Sequence, residues 1–365
     1  MSFGKDIATY HLRLDRSSVF LPVVRDNDPE ATITGRFYVT LARATLFKSI
    51  KVRLIGRLRI PTYGLFLSQS REEITFEETQ TLAYSQTLDS FQLPAGDYEF
   101  AFEIPLSRVT LDTLVGPKHE YHNYRVEVII ARPGFLNRDF AVSGPVVIYR
   151  FPRVDFTRGS HAVEGCSEKG VQYYISIPDI SVPHGATFPV ECWFVPPSKG
   201  TRLLAVTARV VESHDLRFEA TAGESIRYDT RFITWNKSYI VFEEKHDFAR
   251  DSEHHTGDAP DDIIHQISIP VRLPRGVNPC LQSYRSRNII IEHLLVLEAE
   301  FYDRDGRSFE LLTEKIPLSI YMTPADPEGG DVVSNLDGQS LEDIYCIPPI
   351  YGKHELDRVL LEHEW

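Results

Sequence analysis

Cysteine is scarce in this chain of 365 residues: Cys166, Cys192, Cys280 and Cys346 stand alone, without a CxxC pair or a close grouping with histidine. That spacing excludes the common structural zinc sites and offers no disulfide framework. All four are read as reduced thiols, with Cys192, inside Phe188–Val195, as a small core hydrophobe. Long apolar runs are missing too, and nothing approaches the ~20 consecutive apolar residues that span a bilayer. The opening Met-Ser-Phe-Gly-Lys-Asp has neither a hydrophobic leader nor a glycine at position 2 for acylation, so a cytoplasmic protein is expected. Signatures of catalysis are absent: no GxSxG elbow, HExxH helix, P-loop or GxGxxG occurs. The expectation is therefore no enzyme, no catalytic residue and no cofactor. The polar stretch Lys245–Asp262 holds His246, His254, His255, Asp251, Asp258, Asp261 and Asp262, but at no ligand spacing on a regular element, and reads as a charged surface loop rather than a metal site. Basic charge is also deficient. With 39 Lys and Arg against 52 Asp and Glu, the net charge is −13, which leaves no surplus to release counterions from phosphates and argues against nucleic acid as a partner.

The acid is concentrated at one end. Residues 324–365 carry 2 basic and 10 acidic side chains, a net of −8 out of −13, in a stretch rich in Pro, Gly and Asp. Such a segment lacks the apolar surface to fold by itself and is expected to be a largely disordered tail. Within it lies Pro348-Pro349-Ile350-Tyr351, a PPxY element. Adjacent prolines favour an extended polyproline ribbon, which aromatic grooves such as those of WW domains bind at low ordering cost. Pro349 and its neighbour would stack in the aromatic slot, and the Tyr351 ring would enter a second pocket. The following Gly352–Leu361 can form a short helical turn that adds Leu356 and Asp357 as secondary contacts.

What remains is a chain whose apolar residues recur with a period of two in short runs bounded by Gly, Pro and Asp, an all-β pattern. Strands are expected at Thr9–Leu14, Gly35–Leu41, Lys51–Ile60, Tyr98–Ile104, Tyr124–Arg132 and Val146–Phe151, then at Tyr173–Ile177, Thr187–Phe194, Leu203–Val211, His265–Leu273, Ile289–Phe301 and Lys315–Ile320. Only Ser107–Leu114 suggests a short helix, and His293 reads as a hydrogen-bonded strand histidine. The length exceeds one core, so two tandem antiparallel β-sandwiches of immunoglobulin-like type are predicted. They divide into 8–155 and 171–323, with the small, polar, glycine-punctuated 156–170 as linker and 324–365 as the tail.

Two strands carry particular meaning. In Leu93–Pro105, Pro94-Ala95-Gly96-Asp97 supplies a turn, after which Tyr98, Phe100, Phe102 and Ile104 fall on the core face and Asp97, Glu99, Ala101 and Glu103 on the wet one. In Lys51–Ile60, Val52, Leu54, Gly56, Leu58 and Ile60 share one face while Lys51, Arg53, Ile55, Arg57 and Arg59 share the other. The four cations are candidates for contact with an acidic cargo segment or anionic lipid. Alternatively they are balanced by Glu72, Glu73, Glu77 and Glu78 on the next strand.

Several of these segments, in order, resemble the arrestin family, in particular the α-arrestins or arrestin-related trafficking adaptors common in fungi. Gly35–Leu41 followed by Lys48–Gly56 is similar to the family's paired early strands. Leu93–Pro105 resembles its LPxGxxxFxFxxxLP signature, and Tyr124–Pro133 its YxVxAxVxRP strand. Ile267–Pro274, Ile289–Val296 and Ile316–Ile320 resemble the closing strands of its second domain. The resemblance implies an arrestin N-like and an arrestin C-like sandwich. It also implies an adaptor that links a membrane transporter or receptor, through that protein's cytosolic parts, to the WW domains of a Nedd4/Rsp5-type HECT ubiquitin ligase, promoting ubiquitination and endocytosis. Pro348, Pro349 and Tyr351 would be the docking residues, and the protein would work peripherally at the plasma membrane or endosomes. The alternative is an arrestin-fold scaffold in endosomal sorting or signalling that recruits no ligase.

Overall fold

Alternation with a period of two builds nearly every element of the chain. A computed structural model describes residues 7–21, 31–61, 70–106, 111–116, 120–134, 139–150, 160–198, 200–248, 264–274 and 280–323. They form two antiparallel β-sandwiches in tandem, the all-β class expected. In the first, β1 (Ile7–Leu14), β3 (Thr32–Leu41) and β8 (Gly96–Pro105) make a three-stranded sheet. It faces a sheet ordered β2 (Ser18–Leu21), β11 (Phe140–Arg150), β10 (Glu120–Ala131), β5 (Ser49–Pro61) and β6 (Ser70–Tyr84), with β9 (Leu114–Val115) alongside β10. A small ribbon of β4 (Thr45–Phe47) and β7 (Phe91–Leu93) caps one end.

The second sandwich repeats the plan. Its smaller sheet is ordered β12 (His161–Cys166), β13 (Gln172–Ile177), β15 (Thr187–Val195) and β18 (His265–Arg272). Its larger sheet is ordered β14 (Ser181–Pro183), β21 (Ser308–Tyr321), β20 (Ile289–Tyr302), β16 (Arg202–Glu219) and β17 (Phe232–Asp247), with β19 (Tyr284–Arg285) on β20. In both sandwiches a short early strand runs parallel to the last one, β2 beside β11 and β14 beside β21.

Each sandwich encloses its own core. Phe37, Val52, Leu54, Ile104 and Val126 centre the first, and Val190, Cys192, Phe194, Val210 and Leu295 the second. Cys192 fills the small core position expected of it, and burial pushes its thiol up to about 12. Cys166 and Cys280 are also free thiols, while Cys346 lies outside the described residues. Phe102 and Ile104 are buried and Tyr98 and Phe100 partly so, with Asp97, Glu99, Ala101 and Glu103 exposed. Gly96 takes φ = 149° at the turn before them, a conformation that L side chains rarely adopt.

Two expectations are corrected. The segment 156–170 is not a linker throughout, because residues 161–166 pair with β13 as β12. Gly165 serves that pairing by leaving space for the Tyr173 ring, whose hydroxyl would lie 2.5 Å from a Cβ. The glycines that suggested a linker are a close approach and, at Gly170 (φ = 88°), a hairpin turn. The described part of 107–114 is not helical either. There the Thr113 amide donates to Ile148 O (2.7 Å) and its hydroxyl accepts from the Ile148 amide (2.9 Å), so its backbone groups are taken up by the sheet. The one helix among the described residues is α1 (Ala222–Tyr228), started by a capping box between Thr221 and Glu224.

The motif glycines Gly35 and Gly56 are there for clearance. A Cβ on Gly35 would lie 2.6 Å from both Arg13 O and Phe102 Cζ, and one on Gly56 would lie 2.7 Å from Tyr124 Cε1. Gly35→Ala should therefore destabilise the fold by ~1–3 kcal/mol through overpacking. The same change at Gly223 in α1, where a Cβ meets nothing within 4 Å, should raise stability by up to ~1 kcal/mol. Thermal unfolding of the two variants checks the opposite signs.

Candidate functional site

Pro348, Pro349, Tyr351, Leu356 and Asp357 lie outside the described residues, as do His254, His255, Asp251, Asp258, Asp261 and Asp262 of the polar loop. Among the described residues no group of three or more His, Cys, Asp or Glu is placed to hold a metal ion, and no helix is long and apolar enough to cross a membrane.

The cationic face of β5 is fully described. Val52, Leu54, Leu58 and Ile60 point inward as expected, and the arginines point outward between two rows of acid. On β10, the nearly buried Glu127 accepts from Arg53 Nε (2.9 Å) and from Arg57 Nη2 (2.7 Å). Arg53 also donates to Glu77 (3.0 Å), and Arg59 donates to Glu120 (3.0 Å) and Glu72 (3.1 Å). Three guanidinium groups thus face four carboxylates, and this part of the face carries no positive excess. The balance comes from both neighbouring strands, β6 and β10, because β5 lies between them. Lys51 is exposed and outside this ladder.

A second constellation joins the sandwiches. Leu58, Ile60, Leu114 and Tyr121 of the first pack on Leu216, Phe218, Leu281, Ile289 and Ile291 of the second, with Trp235 and Tyr284 at the edge. Strands β5, β10, β16 and β20 each run from a core into this seam. On one face of β16, Val206, Ala208 and Val210 belong to the core, Glu212 and His214 follow, and Leu216 and Phe218 reach the seam. On β20 the same face carries Ile289 and Ile291 in the seam, His293, then Leu295 and Leu297 in the core.

The three polar residues form one network at that transition. Glu212 Oε1 accepts from His214 Nε2 (2.7 Å), while Oε2 accepts from His293 Nε2 (3.2 Å) and from the Leu281 amide (2.7 Å). A carboxylate only accepts, so each imidazole carries its hydrogen on Nε2, which leaves Nδ1 to accept. His214 Nδ1 accordingly accepts from Tyr121 OH across the seam (2.7 Å), and His293 Nδ1 from Ser283 Oγ (2.9 Å). His293 is the hydrogen-bonded strand histidine anticipated, fully buried.

Three further bonds cross the seam. Gln282 Nε2 donates to Asp112 Oδ2 (2.8 Å), and Asp112 is also ion-paired to Arg150. Arg71 on β6 donates to Glu224 of α1 (2.9 Å) and to Glu219 O (3.0 Å). Glu224 therefore both closes the helix cap and anchors the first sandwich.

Burial acts on these groups in opposite directions. It would raise the Glu212 carboxyl, but the hydrogen bonds from His214, His293 and the Leu281 amide prevail and hold it at about 2. His122 is lowered to about 4 by burial. Its Nδ1 donates to Asp112 O (2.9 Å) and its Nε2 accepts from Thr75 Oγ1 (2.7 Å), an arrangement that suits the neutral ring.

The seam was not visible beforehand. Its signal was a Glu and a His two residues apart directly after the apolar Leu203–Val211, which reads as a strand end until the register of β16 against β20 is known.

The fold and site define an all-β double sandwich whose two bodies meet in an apolar seam crossed by a buried polar network. No family model matches the chain. Among curated proteins it is 25% identical over 367 residues to the probable HECT-type ubiquitin ligase-interacting protein creD of Aspergillus clavatus, covering 97% of this chain and 60% of that protein. The HECT-type ubiquitin ligase-interacting protein creD of Emericella nidulans is 24% identical over 367 residues, with the same coverage of 97% and 60%. The probable creD of Aspergillus oryzae is 26% identical over 370 residues, again with 97% and 60% covered. The chain thus spans about 60% of the length of the relatives it matches.

The buried groups set an acid limit on stability. His122 titrates near 6.5 unfolded and about 4 folded, so stability should fall as pH drops through that interval, by on the order of 3 kcal/mol in all. Glu212 adds stability above about 4.5 that is lost as pH falls toward 2. Chemical unfolding measured against pH should show both slopes, and His122→Gln should flatten the first. Glu212→Ala, which strands two buried imidazoles and an amide, should cost ~3–5 kcal/mol at neutral pH.

Proposed function

We propose that this chain is an arrestin-like adaptor that brings a membrane-protein cargo to a HECT-type ubiquitin ligase. The observation that carries the proposal is the correspondence between relatives named for interaction with that class of ligase and the Pro348-Pro349-Ile350-Tyr351 motif in this chain. A PPxY ribbon fits the aromatic groove of a WW domain, with Pro348 and Pro349 stacked in one slot and Tyr351 in the next. Leu356 and Asp357 extend the contact along the following turn. The double sandwich supports the reading in another way, since it offers broad sheet surfaces and a rigid seam but no candidate catalytic cluster among its described residues.

In this reading the adaptor acts by effective concentration, holding cargo on one body and ligase on a tethered motif so that ubiquitin transfer becomes local. The cargo is the cytosolic part of a transporter or receptor, and the complex works at the plasma membrane or endosomes, promoting endocytosis. Arg53, Arg57 and Arg59 contribute to cargo contact only where a partner displaces their carboxylates, whereas Lys51 is available without that cost.

Tyr351→Ala should lose at least tenfold in affinity for isolated WW domains of a Nedd4/Rsp5-type ligase while the thermal unfolding of the sandwiches is unchanged. Undiminished capture of WW domains by this variant would overturn the proposal. So would loss of cargo association in the variant without loss of ligase binding.

A further inference from the structure

One end of the first sandwich differs from the rest of its surface. There β5 begins while β6 and β10 finish, with Ser49 opposite both Tyr84 and Ala131. A shallow cleft of about 340 Å³ opens at this end, lined among others by Lys48, Lys51, Tyr84, Leu88 and Asp89. Leu88 is 70% exposed, Tyr84 58% and the nearby Leu46 on β4 48%, so three large apolar side chains project from one tip. The projection is built in. Ser85 Oγ accepts from the Leu88 amide (3.0 Å) and holds the turn that carries Leu88 outward. Pairing of Thr45–Phe47 with Phe91–Leu93 sets Leu46 opposite Gln92, two residues before Lys48.

Charge at the tip also departs from the pattern elsewhere. Arginine outnumbers lysine 29 to 10 in the chain, and the β5 arginines are neutralised by glutamates. The tip instead presents Lys48 and Lys51, both exposed, neither in an ion pair among the described residues. Arg43 and Arg132 stand at the adjoining strand ends, and Asp89 is the acid among the residues lining the cleft. Flexible ammonium groups around projecting apolar and tyrosine side chains suit the boundary between lipid headgroups and acyl chains. The apolar parts enter while the cations reach the anionic groups, and tyrosine prefers that depth.

We propose that this tip is a membrane-docking surface for anionic phospholipid, with Leu46, Tyr84 and Leu88 inserting shallowly and Lys48 and Lys51 meeting the headgroups. It seats the first sandwich end-on and leaves the arginine ladder of β5 out of the contact.

The test is flotation of the full chain with phosphatidylcholine vesicles, with and without one-fifth phosphatidylserine, at low and physiological salt. The wild-type chain should bind the anionic vesicles, more weakly as salt rises. Lys48→Gln with Lys51→Gln should lower that binding roughly 25-fold, at about fivefold per lysine. Leu88→Ser with Leu46→Ser should lower it several-fold with the salt dependence retained. Inorganic phosphate at the ionic strength of the control buffer should compete no better than chloride, because the apolar contacts need a lipid surface. Because Tyr351→Ala should leave vesicle binding intact, failure here is distinguishable from failure of the ligase reading. Equal binding to neutral and anionic vesicles, no vesicle binding at all, or unchanged binding of the double lysine variant would each overturn the proposal. Competition by free phosphate, or loss of a protein partner by the lysine variant with vesicle binding intact, would reassign the tip and overturn it too.

Discussion

Everything in this molecule depends on how a buried carboxylate is satisfied. Glu212 sits where strand β16 passes from the core of one sandwich to the seam with the other, and desolvation there would expel an unpaired charge. It is tolerated because two imidazoles and a backbone amide all donate to it, and one of those imidazoles is in turn bonded by Tyr121 of the first sandwich. The seam is thereby directional. Apolar contacts such as Leu58 and Ile60 against Leu216 and Phe218 would allow the bodies to slide, whereas these bonds, with Asp112 to Gln282 and Arg71 to Glu224, fix one register.

The strands whose two faces differ were legible from sequence, because one face is core and the other is wet. Leu93–Pro105 and Lys51–Ile60 show the alternation plainly, and their inward residues are those anticipated except Ile55, which alternation puts on the arginine face but which is buried, next to a register shift at Gly56/Arg57. Alternation gives no signal where a strand carries polar groups inward. Strand β16 runs on from Val211 to Glu219, but Glu212 and His214 break the apolar pattern, and only partners from β20 and β10 make those positions habitable. Short edge strands such as β2 and β14 leave too few residues for any period to register, and β12 hides behind glycines that serve packing rather than flexibility. The arginine face of β5 lies on the outside, as its alternation implies. Its electrostatic character depended on Glu127 and Glu120, contributed by a strand some seventy residues away in sequence.

The same asymmetry separates the two kinds of basic surface. Arginine, with a planar fork of donors, is used where carboxylates on neighbouring strands can be bridged, and the result is a stiff, nearly neutral lattice. At the tip of the first sandwich Lys48 and Lys51 are exposed and outside that lattice. On β5 the two cations therefore differ in role, arginine bridging the sheet and Lys51 facing solvent.

The parallel pairing of β14 with β21 has a mechanical consequence. Strand β21 ends at Tyr321, the last strand residue before the acidic segment, and it is gripped on one side by β20 and on the other by β14. At its very end Tyr321 O accepts from His184 N, Ile320 O from Ser283 N, and Ser319 N donates to Ile180 O. A pull applied through the following chain runs along the strand axis and loads these lateral bonds together rather than opening them one by one. The attachment therefore behaves as a clamp under shear, and force arriving from that side is passed to the whole second sandwich before any single strand peels away.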